Sequence, residues 1–527
     1  MFGDKMKLMR FSTGDKIPAS EKLLEDIPLV GELSFSEFEE VKGEIKGKPI
    51  VCSNCGAILT SLESVQTDPK VGMFFKCNYC STINVIDPKD LPTKIDPYAG
   101  WFIPPEKPTQ DFGDGVQKGN SLIAVLDVSG SMSGAKLAGV KKSLISTLKS
   151  YSKSNANAIF GLITFESQVR IYSPDGEVVE KISGDDLYDL KAIEQQIAKN
   201  AWIKNQLPKI QIGKTMGLWE KTVRQMESLN STALGPAVVA ARVMSLHVGT
   251  GRILLLTDGM ANEGIGSLSS ASPEGKQFYR KIAEELSKNG IILDIVGIAG
   301  EGSLELKTLA QLPEITGGDL FYVDLSELED SFSLLAGDQL IGRRARIKVI
   351  VPQELELMHV SGMGTRTKKV NPGEDIAIGG LSRSRSISFE LKPKKDIKKR
   401  KKVPVQIQIQ YQDENDNERI RVIEKELEVT ELKEELEKSL DADLIAGYTV
   451  QRAAQVMQSD RKRGKELMKT MQAKLKKAAP KAVAAQQYLE EEIEELDEIM
   501  LAEKRGMTQA ADKIQANAYR MVKKRKK

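Results

Sequence analysis

Between Ser121 and Asp324 the chain alternates short, almost unbroken apolar runs with stretches of helical periodicity. The runs are SLIAVLDV from Ser121, AIFGLITF (158–165), RILLLTD (252–258), IILDIVGIA (291–299) and DLFYVD (319–324). Helical patterns separate them at about 135–151, 186–229, 273–289 and 326–341. Strands this apolar are buried on both faces. Alternation with helices therefore predicts a parallel or mostly parallel α/β sheet of Rossmann-like type over 118–337.

One such domain does not use up 527 residues, because single cores rarely grow beyond about 250–300 residues. After Gly342 the pattern changes to strict alternation in RARIKVIV, SISFELK, VPVQIQIQYQ and RIRVIEKELEV. This predicts an antiparallel β-sandwich over 340–430, with DENDN (413–417) as a hairpin turn. From Glu431 the sequence is helical, with breaks near Pro480 and Gly506. Leu440, Leu444, Tyr448, Val450, Ala454 and Met457 recur at helical spacing, so 431–527 is expected to be a small helical domain. Residues 85–117 are rich in Pro, Asp and Gly and read as an ordered linker anchored by Tyr98, Trp101 and Phe102.

All four cysteines fall between Cys52 and Cys80. Cys52-x-x-Cys55 and Cys77-x-x-Cys80 are two tight knuckles with room between them for strand-loop-strand, which predicts a zinc ribbon over 51–84. Four thiolates close a structural tetrahedron and leave no position for a catalytic water. A RING finger needs eight ligands, and no histidine lies nearby.

Asp127 and Asp258 end two of the predicted strands. Ser129 and Ser131 follow Asp127 at alternate positions, and Thr232 precedes a third helical stretch. In open parallel sheets, sites form at the carboxyl ends of the strands, so two carboxylates and three hydroxyls can converge there. Oxygen-only ligands select a hard cation, and Mg²⁺ takes six oxygens and keeps several waters. Alternate residues can aim two hydroxyls at one ion while Gly130 lets the loop turn.

Asp127-x-Ser129-x-Ser131, then Thr232, then Thr257-Asp258-Gly259 resemble the metal-ion-dependent adhesion site of von Willebrand factor A domains, over roughly 118–337. The resemblance implies that Ser129, Ser131 and Thr232 ligate Mg²⁺ or Mn²⁺ directly or through water. It implies that Asp127 and Asp258 act through bound waters, and that an Asp or Glu of a partner protein completes the coordination. The order of zinc ribbon, A domain, β-sandwich and helices also resembles the inner-layer adaptor subunits of the COPII vesicle coat. In those proteins an N-terminal segment adds strands to the sandwich, and the same is expected of residues 1–50, where Leu33–Phe38 looks like a strand. The coat subunits end in a gelsolin-like domain, for which these 527 residues leave no room, and they do not depend on an intact metal motif.

Composition narrows the function. Net charge is +2 although 28% of residues are charged, and aromatics are 5%. No overall field or stacking surface points to nucleic acid. The first residues lack the apolar core of a signal peptide, and no run approaches the ~20 apolar residues of a spanning helix. A cytoplasmic protein, peripheral on a membrane in one reading, is expected. The basic tract Lys392–Lys402 is either a solvated loop or a contact for anionic lipid. PKIQIGKT (208–215) ends like a phosphate-binding loop, but Pro208 stands where glycine is required. The sequon Asn230-Ser231-Thr232 would set a glycan on the metal and is read as unmodified. A magnesium hydrolase would need a base beside the motif, yet His247 and His359 are the only histidines. The expected function is a non-enzymatic scaffold whose A domain binds an acidic residue of a partner through a divalent cation. A COPII-like coat component and an ATPase-associated assembly factor are the alternatives.

Overall fold

The apolar runs form the strands Ser121–Asp127, Ile159–Phe165, Arg252–Thr257, Ile292–Ile298 and Leu320–Val323 in a computed structural model. The structure describes residues 8–24, 27–36, 38, 45–95, 100–103, 121–228, 231–249, 251–268, 273–300, 303–337, 340–361, 370–394, 397–413, 417–457, 460–505 and 510–523. All five strands pair in parallel. Two antiparallel strands, Val169–Tyr172 and Val178–Ile182, extend the edge beyond Ile159–Phe165 to make seven. These edge strands do not announce themselves in the sequence, because they are short and half-polar.

Period-2 geometry divides the sheet's side chains between two cores. Ile123 and Val125 pack with Ala237, Val238 and Ala241 of the helix Leu234–Val248 and with Tyr279 and Ala283 of Pro273–Lys288. Leu122, Ala124 and Leu126 pack on the other face with Val140 and Leu144 of Ala135–Ser154 and with Trp219 of Ile212–Gln225. The central strand is buried along its whole length, which is why its sequence shows no alternation.

Two contact-dense units divide the chain. One comprises Gln110–Arg344 with Asp497–Arg520, the other Met1–Thr109, Ala345–Leu496 and Met521–Lys527. The C-terminal helices expected as one domain over 431–527 are thus split. Within the α/β unit the helix Ala510–Lys523 is tied down by Asp512. Its Oδ2 accepts the Leu304 N–H at 2.6 Å and its Oδ1 the Leu306 N–H at 2.8 Å. In the second unit the helix Ala442–Met457 puts Leu444 and Tyr448 against Val30, and Tyr448 donates to Glu390 at 2.6 Å.

The β-sandwich draws on two segments of the chain, one before and one after the α/β strands. One sheet runs Met9–Phe11, Leu29–Ser34, Ser386–Pro393, Leu355–Ser361. The other runs Ile376–Ser382, Leu340–Ile350, Lys402–Gln412, Glu418–Thr430, Gly100–Ile103, Ile45–Lys46, and Lys16–Pro18 pairs in parallel with Glu428–Thr430. Residues 9–11, 16–18, 29–34 and 45–46 therefore enter the sandwich as strands. Part of the segment read as linker is also a strand, since Gly100–Ile103 pairs with Glu418–Arg421 and buries Trp101. Tyr98, most of DENDN and residues 104–120 lie outside the described residues.

Candidate functional site

Strand order makes the crevice. Ser121–Asp127 is flanked by Ile159–Phe165 on one side and Arg252–Thr257 on the other, so the connections leave in opposite directions and open a cleft at the carboxyl ends. Asp127, Ser129, Ser131, Thr232 and Asp258 are all brought to this place. Asp127 is fully buried. Its Oδ1 accepts the Ser129 N–H at 2.8 Å, and its Oδ2 accepts the Thr257 hydroxyl at 2.6 Å. Ser129 Oγ lies 3.0 Å from Ser131 Oγ, and Ser131 donates to Asp258 Oδ1 at 2.6 Å.

Thr232 is held from two sides. Its N–H donates to Asn262 Oδ1 at 2.9 Å, and the next N–H, of Ala233, donates to the Glu166 carbonyl at 2.7 Å. Gly235 lets the following helix close on the loop, since a Cβ there would stand 1.9 Å from the Ile265 carbonyl oxygen. Gly259 marks the centre of the cluster. A Cβ on it would lie 3.3 Å from Thr232 Oγ1, 3.7 Å from Ser131 Oγ and 3.8 Å from Asp127 Oδ2. Gly130 and Ser131 are exposed, so the oxygens are reachable from water.

The donor set fits a hard cation. An octahedron with Mg–O of about 2.1 Å has edges of about 3.0 Å, the spacing of the two serine hydroxyls. Burial raises the Asp127 carboxyl to about 6 despite the hydrogen bonds from Ser129 and Thr257, and the nearby Asp258 charge adds to the rise. An ion of charge two would relieve that strain. Thr257, present in the motif without a role, and Lys136, outside it, also take part. Thr257 orients Asp127, and Lys136 brings its Nζ to 2.5 Å from Asp258 Oδ2. Neither histidine adjoins the cluster in sequence, and His247 sits at the far end of the helix that follows Thr232, about 20 Å away.

The four cysteines also come together. Their sulfurs all lie within 4.8 Å of one another, with Cys52–Cys80 and Cys55–Cys77 at 3.5 Å. A ZnS₄ tetrahedron has S···S edges of about 3.8 Å, so the cluster fits a zinc ribbon. The strands are Val65–Asp68, Gly72–Lys76 and Ile83–Val85. Each knuckle closes through the same bond, Gly56 N–H to the Cys52 carbonyl at 3.0 Å and Ser81 N–H to the Cys77 carbonyl at 2.9 Å. Gly56 and Ser81 both take positive φ there, 75° and 62°. Burial pushes the Cys77 thiol up to about 11 and Cys55 higher still. Cys80 is only partly buried, and bonds with Thr82 and Asn54 bring it down to about 6. Thiols held up by burial ionise when a metal supplies the opposing charge.

VPVQIQIQYQ alternates as a sandwich strand, and the ribbon covers Gln406 and Gln408 on it. Gln406 is fully buried and Gln408 nearly so. The Gln406 amide accepts the Ile58 N–H at 2.8 Å and donates to the Ile58 carbonyl at 2.9 Å, as a strand neighbour would. Gln408 donates to the Gly56 carbonyl at 2.7 Å. Glu424 gathers Thr60, Tyr79 and Gln406 on its two oxygens at 2.6–2.9 Å.

In the basic tract, Lys392, Lys398, Arg400 and Lys402 pair with Glu21, Glu431, Glu354 and Glu426. PKIQIGKT crosses the 3₁₀ turn Leu207–Lys209 and opens the helix Ile212–Gln225, with no strand before it to form a phosphate loop. Among the described residues, no helix is long and apolar enough to cross a membrane.

A central parallel strand ending in this aspartate, flanked by serine loops, defines a von Willebrand factor A-type domain, here within a larger multidomain α/β protein. Residues 121–336 match the Sec23/Sec24 trunk domain model, a fold of that type. The chain is similar in fold to the human COPII-coat protein Sec24c, with 15% identity, a TM-score of 0.67, and coverage of 98% of this chain and 74% of that one. A von Willebrand factor type A protein from Catenulispora acidiphila is similar at 15% identity and a TM-score of 0.47, over 72% of this chain and 83% of that one. A curated relative, circularly permutated Ras protein 1 of Dictyostelium discoideum, is 24% identical over 400 residues, 68% of this chain. The chain spans about half the length of that relative, 46%.

Proposed function

We propose that this chain is a non-enzymatic interaction scaffold of coat-adaptor type, acting as a peripheral component on the cytoplasmic side of a membrane in vesicle traffic. The observation that carries this reading is the pairing of a trunk domain with a sandwich completed by the chain's own N-terminal strands, a layout shared with Sec24c over nearly the whole chain. In this reading the ribbon holds one structural zinc and braces the sandwich through Gln406, Gln408 and Glu424. The test is cell fractionation combined with affinity purification of the intact chain and mass spectrometry. Recovery with membranes and with coat or cargo proteins is expected. A chain that stays in the soluble fraction and retains no trafficking protein would sink the proposal.

A second reading rests on the oxygen cluster. Asp127, Ser129, Ser131, Thr232 and Asp258 surround one divalent cation, and an Asp or Glu of a partner protein fills its open position. The exposure of Ser131 supports this reading, because it leaves the site open to an incoming carboxylate. The chemistry supplied by the ion is electrostatic bridging of two carboxylate-bearing surfaces. A partner pulldown in Mg²⁺ against EDTA separates this reading from a scaffold that works without metal.

A further inference from the structure

We infer that the Lys136 ammonium is the tethered resident cation of the oxygen cluster, neutralising Asp258 in the metal-free protein and moving out when a divalent ion enters. The inference rests on the cation reading proposed above and adds what balances the site's charge when no ion is bound.

Lys136 stands at the second position of the helix Ala135–Ser154, and that helix has no acidic residue in its first turn. A cation there faces the positive end of the helix dipole, which is unfavourable unless an anion holds it. Asp258 is that anion. Its side chain is fully buried, and Lys136 is the charged group on its Oδ2, at 2.5 Å. Its Oδ1 is taken by Ser131, and both oxygens of Asp127 are taken by Ser129 and Thr257. Among the described residues, the cation against these two buried carboxylates is therefore the lysine.

Space has been left for it. A Cβ on Gly300 would stand 2.9 Å from Lys136 Nζ, so a larger residue there would press on the ammonium. The lysine side chain is also 23% exposed, so a rotation about its flexible stem returns the head to water. With the lysine in place, two carboxylates and one ammonium leave a charge of minus one. A divalent ion with the lysine swung out brings the cluster to zero. A divalent ion added beside the lysine leaves an excess positive charge at a helix N-terminus, so the two cations compete for Asp258.

Lys136→Met keeps the length of the stem and removes the charge, and Lys136→Arg keeps a charge and controls for packing. Thermal melting in EDTA reads the lysine without any metal. The Met variant is expected to melt roughly 5 °C or more below wild type, because one partner of a buried pair has been removed. The Arg variant should melt closer to wild type. Calorimetry with MgCl₂ alone reads the competition, and the Met variant should bind Mg²⁺ about tenfold more tightly and regain its melting temperature. A Met variant that melts with wild type in EDTA overturns the inference, whatever the metal does. Equal Mg²⁺ affinity in wild type and Met variant overturns the competition. A Met variant that melts low in EDTA yet binds no Mg²⁺ leaves the lysine as the resident cation and overturns the cation reading instead.

Discussion

The Tyr79 hydroxyl donates to Glu424 Oε2 at 2.6 Å, joining the second cysteine knuckle to the middle of a sandwich strand. The same carboxylate accepts from Thr60 and Gln406. Glu424→Ala leaves three donors without that partner, two of them on the ribbon. It should lower stability by about 2–4 kcal/mol. Urea denaturation gives the loss, and limited proteolysis should place the first cuts within residues 51–85. Resistance equal to wild type would mean that metal and apolar contacts alone seat the ribbon.

The purified chain should carry one zinc, read by elemental analysis of protein prepared without added metal. Cys77→Ser removes one thiolate from the cluster and should abolish the zinc. The ribbon should then become protease-sensitive while the A-type domain, with its own cores, stays folded by circular dichroism. Zinc-free wild-type protein with four titratable thiols would contradict this.

Asp127→Ala and Thr232→Ala should each abolish binding of a single Mn²⁺, followed by electron paramagnetic resonance with Mg²⁺ as competitor. Thr232→Ser, which keeps the hydroxyl, should retain it. Thr232→Ala keeps the bond that holds the loop, because Asn262 accepts from the backbone N–H. A folded Asp127→Ala protein that binds Mn²⁺ as wild type does would rule out the oxygen cluster as the site.

Asp512 is 2% exposed and receives two backbone N–H groups. Asp512→Ala strands both and should cost the α/β unit about 2–4 kcal/mol. Asp512→Asn keeps one acceptor oxygen and should recover part of the loss. Differential scanning calorimetry of the full chain would show the effect in the transition that contains the A-type domain. An unchanged thermogram would mean that the final helix is held by other contacts.

What the sequence makes legible follows from how local each constraint is. The strands around Leu122–Leu126 and Ile253–Leu256 are readable because burial on both faces removes every polar residue from them. The convergence of Asp127 with Asp258 follows from a rule about parallel sheets. The ion pair of Lys136 is harder to see, since it lies 122 residues from Asp258, and its only local trace is a lysine at the wrong end of a helix. The glutamines of Lys402–Gln412 do not announce the ribbon, because alternation reports polarity and not exposure. A polar face covered by carbonyl and amide groups looks the same in sequence as one covered by water. Asp512 is equally silent, a single acid in a helix whose partners are backbone atoms some 200 residues earlier. The short strands Val169–Tyr172 and Val178–Ile182 owe their place to a neighbouring edge, which no window of their own sequence contains.

The sandwich also sets a timetable. Leu29–Ser34 pairs with Ser386–Leu391, about 350 residues further along, and the entire A-type domain is written into the chain between them. At ~5–20 residues per second of synthesis, a newborn chain waits roughly 20–70 s before that strand can meet its neighbour. The zinc knuckles emerge early, but the glutamines that brace them follow about 350 residues later. Throughout that interval Phe11, Val30, Leu33 and Phe35, all buried at maturity, have no sheet to enter. A ribosome carrying this message therefore holds an apolar N-terminal segment in need of shelter, and a chaperone that releases it before strand Ser386–Pro393 emerges would release it too soon.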